Sequence, residues 1–206
     1  MIDFVDRNRA VYCLQIFIFC VWHADQVEEY IRNSRWNDIV TIQCISSSSC
    51  SSAGDALREI DGMNVIRSDP FILISGDVVA NINLQKAIAY HKKKRQEDSN
   101  NIMTLTLRKV QKTTGTKPLS EDLVIGMNKK TSQIVLFDDN ISKSKVQIPI
   151  PLLKGNELSF TTEYLDCNVD ICSPELILQF SDNFDYRDIR RDFIHNEVTN
   201  FALGKH

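Results

Sequence analysis

The sequence lacks both glycine-rich motifs that commonly hold nucleotide phosphates in α/β enzymes. Neither GxGxxG nor GxxxxGK[ST] occurs, and residues 1–13, before the first long apolar run, contain no glycine. An enzyme that transfers a nucleotide needs such a loop, because its backbone N–H groups bind the phosphates. The sequence therefore argues against an enzyme, and predicts no catalytic residue and no cofactor.

Metal-ligand spacings are absent as well. No C-x-x-C pair and no Cys/His zinc pattern occurs, so we expect no metal site. The six cysteines lie partly inside apolar runs of a 206-residue chain, which favours reduced thiols in a cytosolic protein. Cys167 and Cys172 are an odd number of positions apart, so on one strand they point to opposite faces and are poorly placed to form a bridge.

The chain has neither an excess of one charge nor an apolar run long enough to cross a membrane. Its net charge of −3 gives no reason to expect nucleic acid or an anionic membrane as a partner. Residues 14–22 are too few to span a bilayer and precede no small-residue cleavage site. We therefore expect a cytoplasmic, specifically cytosolic, location.

Apolar runs alternate with amphipathic segments through the first half of the chain. Strands are predicted at residues 16–22, 39–45 and 71–74, and helices at 25–32, 53–60 and 83–96. This order predicts an α/β fold with a mostly parallel sheet. Short apolar segments at 102–107, 123–127 and 134–137 predict a small antiparallel insertion. A last strand is predicted at 168–172, before a helix that begins at Pro174 and is capped by Ser173.

Gly76 and Asp77 follow the predicted strand 71–74 after one residue, Ser75. Open α/β sheets bind ligands at the carboxyl ends of their strands, where an aspartate would hold Mg²⁺ against phosphates. The alternative is an ordinary turn with Asp77 as a solvated cap, since Gly-Asp pairs are common in turns. Both interpretations stay open on spacing alone.

Asn183 and Phe184 stand between two acidic residues, Asp182 and Asp185. An aromatic side chain ringed by hydrogen-bonding groups is typical of a surface that contacts a partner protein. The alternative is a helix C-terminus at which Asn183 is left-handed and Phe184 folds back onto the core. Spacing does not decide between the two.

Five segments together resemble the epsilon subunits of eukaryotic translation initiation factor 2B. They are FIFCVWHADQVEEYI (17–31), SSAGDALREID (51–61), FILISGDVVANINL (71–84), YLDCNVDICSPEL (164–176) and FSDNFDYRDIRRDF (180–193). The last two favour the epsilon subunit over the gamma subunit and over sugar-nucleotide pyrophosphorylases, which share the fold. The resemblance implies a three-layer, Rossmann-like nucleotidyltransferase domain over residues 1–200, and a β-helix beginning at 201–206.

The resemblance also implies a function. Members of the family act in a cytosolic multi-subunit complex that exchanges guanine nucleotides on initiation factor 2. This chain would be a non-catalytic domain that assembles with the gamma and other subunits and contacts initiation factor 2. Asn183 and Phe184 match the family's partner-contacting Asn-Phe element, and Gly76 and Asp77 would be the remnant of a nucleotide pocket. The alternative is a nucleotidyltransferase related to sugar-nucleotide pyrophosphorylases.

The chain departs from the family pattern at both ends. Residues 1–4 resemble the start of a family helix, so we expect the family's first strand and phosphate loop to be absent. An unpaired sheet position is then expected beside residues 16–21. The rest of the β-helix and the helical-repeat domain that performs exchange are also expected to be absent.

Overall fold

A computed structural model describes residues 2–7, 10–110, 123–139, 145–146, 148–153 and 157–203. The chain divides into two compact units. The first unit comprises Met1–Thr106 and Cys167–Phe184, and the second comprises Leu107–Asp166 and Asp185–His206.

The strands in the described part of the chain alternate with helices in its first half and dominate its middle. The strands are β1 (Ile2–Arg7), β2 (Ala10–Cys20), β3 (Thr41–Ser46), β4 (Phe71–Ile74), β5 (Met103–Lys109), β6 (Val124–Asn128), β7 (Ile134–Asp138), β8 (Leu158–Thr161) and β9 (Tyr164–Cys172). The α-helices are α1 (Ala24–Arg32), α2 (Ala53–Met63), α3 (Leu84–Glu97), α4 (Glu175–Asp182) and α5 (His195–Ala202). Short 3₁₀ turns occupy Arg35–Asp38 and Ile150–Leu153.

The larger sheet has the strand order β3-β2-β1-β4-β9-β5 and is mixed. β2 and β3 pair in parallel, but β1 is antiparallel to both β2 and β4, and β9 is antiparallel to β4. Only two residues connect β1 to β2, and so short a connection joins antiparallel strands. The α/β class predicted from the sequence is confirmed, whereas the described registers do not support a mostly parallel sheet.

β1 is a strand, and not the helix start expected from the resemblance. Its Ile2 lies beside Ile16 of β2 on one side and beside Ile72 of β4 on the other. β1 therefore supplies a sheet neighbour at Ile16, where an unpaired position was expected. Because β1 is antiparallel to both neighbours, β2 and β4 still run in the same direction, as the predicted crossovers require.

The core of the first unit lies where α3 packs on β4 and β9. Ile72, Ile88, Val169 and Ile171 form one buried cluster, and Leu84 and Ala87 pack against it. Leu84, Ala87 and Ile88 therefore form the apolar face of α3. The neighbouring helix α2 runs past Asp61 and Gly62, where the sequence predicted its end, and closes at left-handed Asn64 (φ 50°).

His91 of α3 is fully buried within a chain of polar side chains. Its Nδ1 lies 2.9 Å from Thr104 Oγ1, and its Nε2 lies 3.0 Å from Ser173 Oγ. The Ser173 hydroxyl donates to Asp69 Oδ1 at 2.9 Å, so Nε2 must carry the imidazole proton and donate to Ser173. The Ser173 side chain thus bonds to His91 and Asp69 and does not cap α4, as the sequence had predicted it would.

Burial lowers the pKa of His91 to about 4. A histidine in the unfolded chain has a pKa of about 6.5, so between these values the unfolded state binds the extra proton. We expect the free energy of unfolding to fall by about 2 kcal/mol between pH 7 and pH 5. Chemical denaturation at the two pH values measures this change. The slope should flatten in His91→Asn and persist in His23→Asn, a control at an exposed histidine. An unchanged slope in His91→Asn would contradict the assignment.

The second unit contains the predicted antiparallel insertion. β6 pairs antiparallel with β7 on one side and with β8 on the other, which confirms the prediction for residues 123–127 and 134–137. The prediction was wrong for residues 102–107, because β5 is the edge strand of the larger sheet. Gly126 of β6 is required there, because a Cβ would lie 2.7 Å from the Phe160 ring. Val135, Leu152 and Leu158 form a small core beside the sheet.

The last described segment of the second unit is helical. A π-helical turn at Ile189–Ile194 begins at Asp188, whose carboxylate accepts the N–H groups of Arg190 and Arg191. It leads directly into α5, and His195 Nδ1 lies 3.2 Å from the Phe137 carbonyl oxygen of β7. Of the residues at which a β-helix was expected to begin, 201 and 202 complete α5, while 204–206 lie outside the described residues.

The five cysteines in the described side chains, Cys20, Cys44, Cys50, Cys167 and Cys172, are reduced thiols. Cys44 and Cys20 lie on adjacent strands with their sulfur atoms 3.7 Å apart. Burial, followed by the contact with Cys20, raises the pKa of the Cys44 thiol to about 11. Cys13 lies outside the described side chains. None of the helices within the described ranges has the length and apolar character to cross a bilayer.

Candidate partner-binding site

Helix α4 carries Asn183 and Phe184 at its C-terminal end and is anchored by an apolar face. Leu176, Ile177 and Phe180 are buried, with Phe180 0% exposed. Leu178 points away from that face and is 50% exposed. This distribution is the amphipathic pattern of a helix that packs on one side, so the end of α4 has a fixed position in the first unit.

Arginines hold both ends of α4. At the N-terminal end, Arg95 Nη2 of α3 lies 2.6 Å from Glu175 Oε1. At the C-terminal end, Arg58 of α2 donates from Nη1 to the Phe180 carbonyl oxygen at 3.0 Å and to that of Asn183 at 3.4 Å. The last carbonyl groups of a helix have no partner within it, so a cation there satisfies them and interacts favourably with the helix dipole.

Asn183 ends α4 in an extended conformation, with φ −126° and ψ 102°. Its N–H still donates to the Gln179 carbonyl oxygen at 3.1 Å, but its carbonyl already points away from the helix axis and toward Arg58. The left-handed cap considered in the sequence analysis is therefore not the conformation that Asn183 adopts.

Phe184 is 75% exposed and does not fold back onto the core. Its ring centroid lies 5.3 Å from the guanidinium carbon of Arg58, within the range of a cation–π contact. Asp182, two residues before Phe184, is also exposed. The structure thus presents an exposed aromatic ring beside a cation, which is a composition found in contact surfaces. A role in partner contact stays a prediction.

Arg58 was missed by the sequence analysis. Asp55 and Arg58 have the i, i+3 spacing of an ion pair on a helix, and that signal is visible in the sequence. The pair is present, with Nη2 2.8 Å from Asp55 Oδ1. Nothing in the spacing indicates the Phe180 carbonyl, which lies 122 residues further along the chain.

Asp55 is held in place by the turn before α2. Its Oδ2 accepts the Ser51 N–H at 3.0 Å and the Ser51 hydroxyl at 2.8 Å, while the Asp55 N–H donates to Ser52, the residue that caps α2. The Arg58 guanidinium, and then the Ser51 N–H, hold the pKa of the Asp55 carboxyl well below its usual range. Asp55 is therefore a fixed negative charge beneath Arg58 at neutral pH.

Gly76 and Asp77 lie in an exposed turn at the end of β4. The Val78 N–H donates to the Ser75 carbonyl oxygen at 3.2 Å and closes the turn. A Cβ at Gly76 would meet open space, so no close approach requires glycine there. Within the part of the chain that the structure describes, no three His, Cys, Asp or Glu side chains cluster closely enough to hold a metal ion. A remnant nucleotide pocket at Gly76 and Asp77 stays a prediction.

The fold is that of sugar-nucleotide pyrophosphorylases. The crystal structure of apo UDP-glucose pyrophosphorylase matches 94% of this chain and 71% of its own, with a TM-score of 0.56 at 11% sequence identity. HddC from Yersinia pseudotuberculosis matches 88% of this chain and 65% of its own, with a TM-score of 0.53 at 13% identity. At such identities the likeness establishes the fold class only.

Sequence comparison goes further than the fold. The chain is 47% identical over 192 residues to translation initiation factor eIF2B subunit epsilon of Dictyostelium discoideum, and 40% identical over 196 residues to that of Schizosaccharomyces pombe. These matches cover 92% and 93% of this chain but 27% and 29% of the relatives. No family model matches the chain. Over nearly all of its length, the chain is a homologue of eIF2B subunit epsilon.

The exposure of Phe184 predicts that its side chain contributes little to folding. We expect Phe184→Ala to lower the free energy of unfolding by less than about 1 kcal/mol, as for most surface substitutions. Phe180→Ala is the matched comparison four residues earlier. It should cost about 3–5 kcal/mol, because it removes a fully buried ring. Urea unfolding of both variants measures the two values, and similar losses would place Phe184 in the core.

Proposed function

We propose that this chain is a non-catalytic domain of an eIF2B epsilon subunit that serves subunit assembly and contact with initiation factor 2. The observation that carries the proposal is the 47% identity to a protein of that name across 92% of this chain. The partners would be the gamma and other subunits of the exchange complex, in the cytosol. Nucleotide exchange itself would be performed by a part of the epsilon subunit other than this domain.

The geometry of Asn183 and Phe184 supports a contact role within this proposal. An aromatic ring that is 75% exposed has apolar area to bury against a partner. Few interface residues carry most of the binding free energy, and they are enriched in aromatic and arginine side chains. Phe184 supplies the aromatic side chain, with the Arg58 guanidinium beside it. Asn183 adds an amide side chain with donor and acceptor atoms.

The composition of the sheet edge supports a non-catalytic domain. Asp77 stands at the carboxyl end of β4, where relatives of this fold class bind ligands. The sequence supplies no glycine-rich loop to hold phosphates beside it. A carboxylate without a phosphate-binding loop has little to offer a nucleoside triphosphate, so we assign Gly76 and Asp77 to the remnant of a nucleotide pocket.

Replacement of both Asn183 and Phe184 by alanine tests the contact role. In the assembled complex with full-length epsilon subunit, we expect Asn183→Ala with Phe184→Ala to weaken binding of initiation factor 2 about tenfold. Loss of a central aromatic contact costs at least ~1–2 kcal/mol, which corresponds to that change. Leu178→Ala, at an exposed apolar residue of the same helix, is the control and should leave affinity unchanged. An unaltered Kd in the double variant would remove the contact role.

Pyrophosphate release tests the enzymatic alternative. The protein is incubated with Mg²⁺, a nucleoside triphosphate and a hexose 1-phosphate, beside an Asp77→Asn variant. We expect both proteins to release no pyrophosphate above the protein-free blank, because the chain offers no phosphate-binding loop. Release by the unmodified protein that disappears in Asp77→Asn would establish a nucleotidyltransferase.

A further inference from the structure

We infer that Arg58 is a positioning residue that sets the direction in which Asn183 and Phe184 leave helix α4, so that α2 shapes the partner-binding site from behind. This inference rests on the proposed function of Asn183 and Phe184. It assigns the specific geometry of that element to a side chain more than one hundred positions earlier in the sequence.

The contacts of Arg58 span the point where the helix ends. Nη1 donates both to the Phe180 carbonyl, which belongs to the last turn of α4, and to the Asn183 carbonyl, which lies just after it. One guanidinium nitrogen therefore ties the helix to the first extended residue. The orientation of the Asn183 peptide fixes where the backbone of Phe184 begins, so these two bonds restrict the exit of the chain.

The same guanidinium also contacts the ring that it positions. Its carbon lies 5.3 Å from the Phe184 centroid, while the Arg58 side chain itself is only 13% exposed. Phe184 thus contacts a nearly buried cation on its protein side, while most of its surface stays exposed to solvent. A ring held in this way keeps most of its apolar area available to a partner.

A lysine would not reproduce this arrangement. Arg58 uses Nη1 for two carbonyl oxygens and Nη2 for Asp55, and its guanidinium carbon lies over the Phe184 ring. A lysine ammonium carries all its donors on one nitrogen, so it cannot occupy the positions of both Nη1 and Nη2 while remaining over the ring. Asp55, held by Ser51, accepts the hydrogen bond from Nη2 and so restricts the position of the guanidinium.

A purely structural role would act through the docking of α4 on α2, and other contacts already maintain that docking. Ser181 Oγ donates to Asp61 Oδ2 at 2.6 Å, a second link between the two helices. Phe180 on α4 and Leu57 and Ile60 on α2 are buried. We therefore expect loss of the Arg58 geometry to change the orientation of Phe184 without releasing the helix.

The first test observes Phe184 directly. The chain is labelled with fluorinated phenylalanine, and the Phe184 resonance is assigned from its absence in Phe184→Leu. In Arg58→Lys we expect this resonance to shift toward the position of a freely solvated ring and to narrow. Arg67→Lys, at an exposed arginine of the same unit, should leave it unchanged. An unaltered Phe184 resonance in Arg58→Lys overturns the inference.

The second test measures binding in the complex with full-length epsilon subunit. Arg58→Lys should weaken affinity for initiation factor 2 about threefold to tenfold, and should add little when Asn183 and Phe184 are already alanine. Fully additive losses would show that Arg58 acts independently of the Asn-Phe element, and would overturn the inference. Should Arg58→Lys fail to fold, Asp55→Asn replaces it in both tests, because it removes the carboxylate that orients Nη2.

The two tests separate this inference from the proposed function. If Asn183→Ala with Phe184→Ala leaves affinity unchanged while Arg58→Lys still shifts the Phe184 resonance, the contact role fails and the positioning of the ring by Arg58 stands. If the alanine pair weakens binding but Arg58→Lys changes neither the resonance nor the affinity, the contact role stands and the positioning fails.

Discussion

The burial of β4 between β1 and β9 is the constraint on which the first unit depends. β4 has four residues, and its Phe71 and Ile72 are both 0% exposed. So short a strand is stable only because partners cover its edges and helix α3 covers a face. β9 runs antiparallel to β4 in the sheet, and the chain passes from the end of β9 directly into α4. The position of the Asn-Phe element therefore follows from the pairing of β9 with β4.

The hydrogen-bond network around His91 and the arginines at the two ends of α4 fix helices relative to this buried strand. The polar chain from Thr104 through the buried His91 and Ser173 to the exposed Asp69 joins α3 to the start of the α4 region. A buried polar network is favourable only when each member has its partner, which makes it specific for one arrangement. The network and the two arginines together give α4 one position, although eight residues are too few for a helix that is stable alone.

The sequence was sufficient where local periodicity determines the structure. β4 and α3 were predicted to within a residue or so, because an uninterrupted apolar run and a clear 3.6-residue pattern leave few alternatives. The relative directions of the strands in the larger sheet could not be predicted in this way. β1 pairs through its backbone with β4, which lies about 70 residues later in the sequence. The charged residues of β1, Asp3, Asp6 and Arg7, do not indicate which strand will be its neighbour. Pairing is a tertiary property.

In the candidate site as well, some residues could be predicted from the sequence and others could not. Asn183 and Phe184 attract notice in the sequence because an aromatic residue stands between acidic residues, and the resemblance to the epsilon subunits points to the same pair. Arg58 carries no such signal, since its visible partner on α2 is Asp55 alone. Its second set of partners consists of backbone carbonyls, which every residue possesses and no sequence pattern marks.

The nearly buried guanidinium beneath Phe184 has a consequence for association. An aromatic side chain on a free loop loses orientational entropy when a partner closes over it, and that loss subtracts from the affinity. A ring already restricted by a cation below it loses less. Helix α2 would then contribute to affinity by preorganisation, without touching the partner.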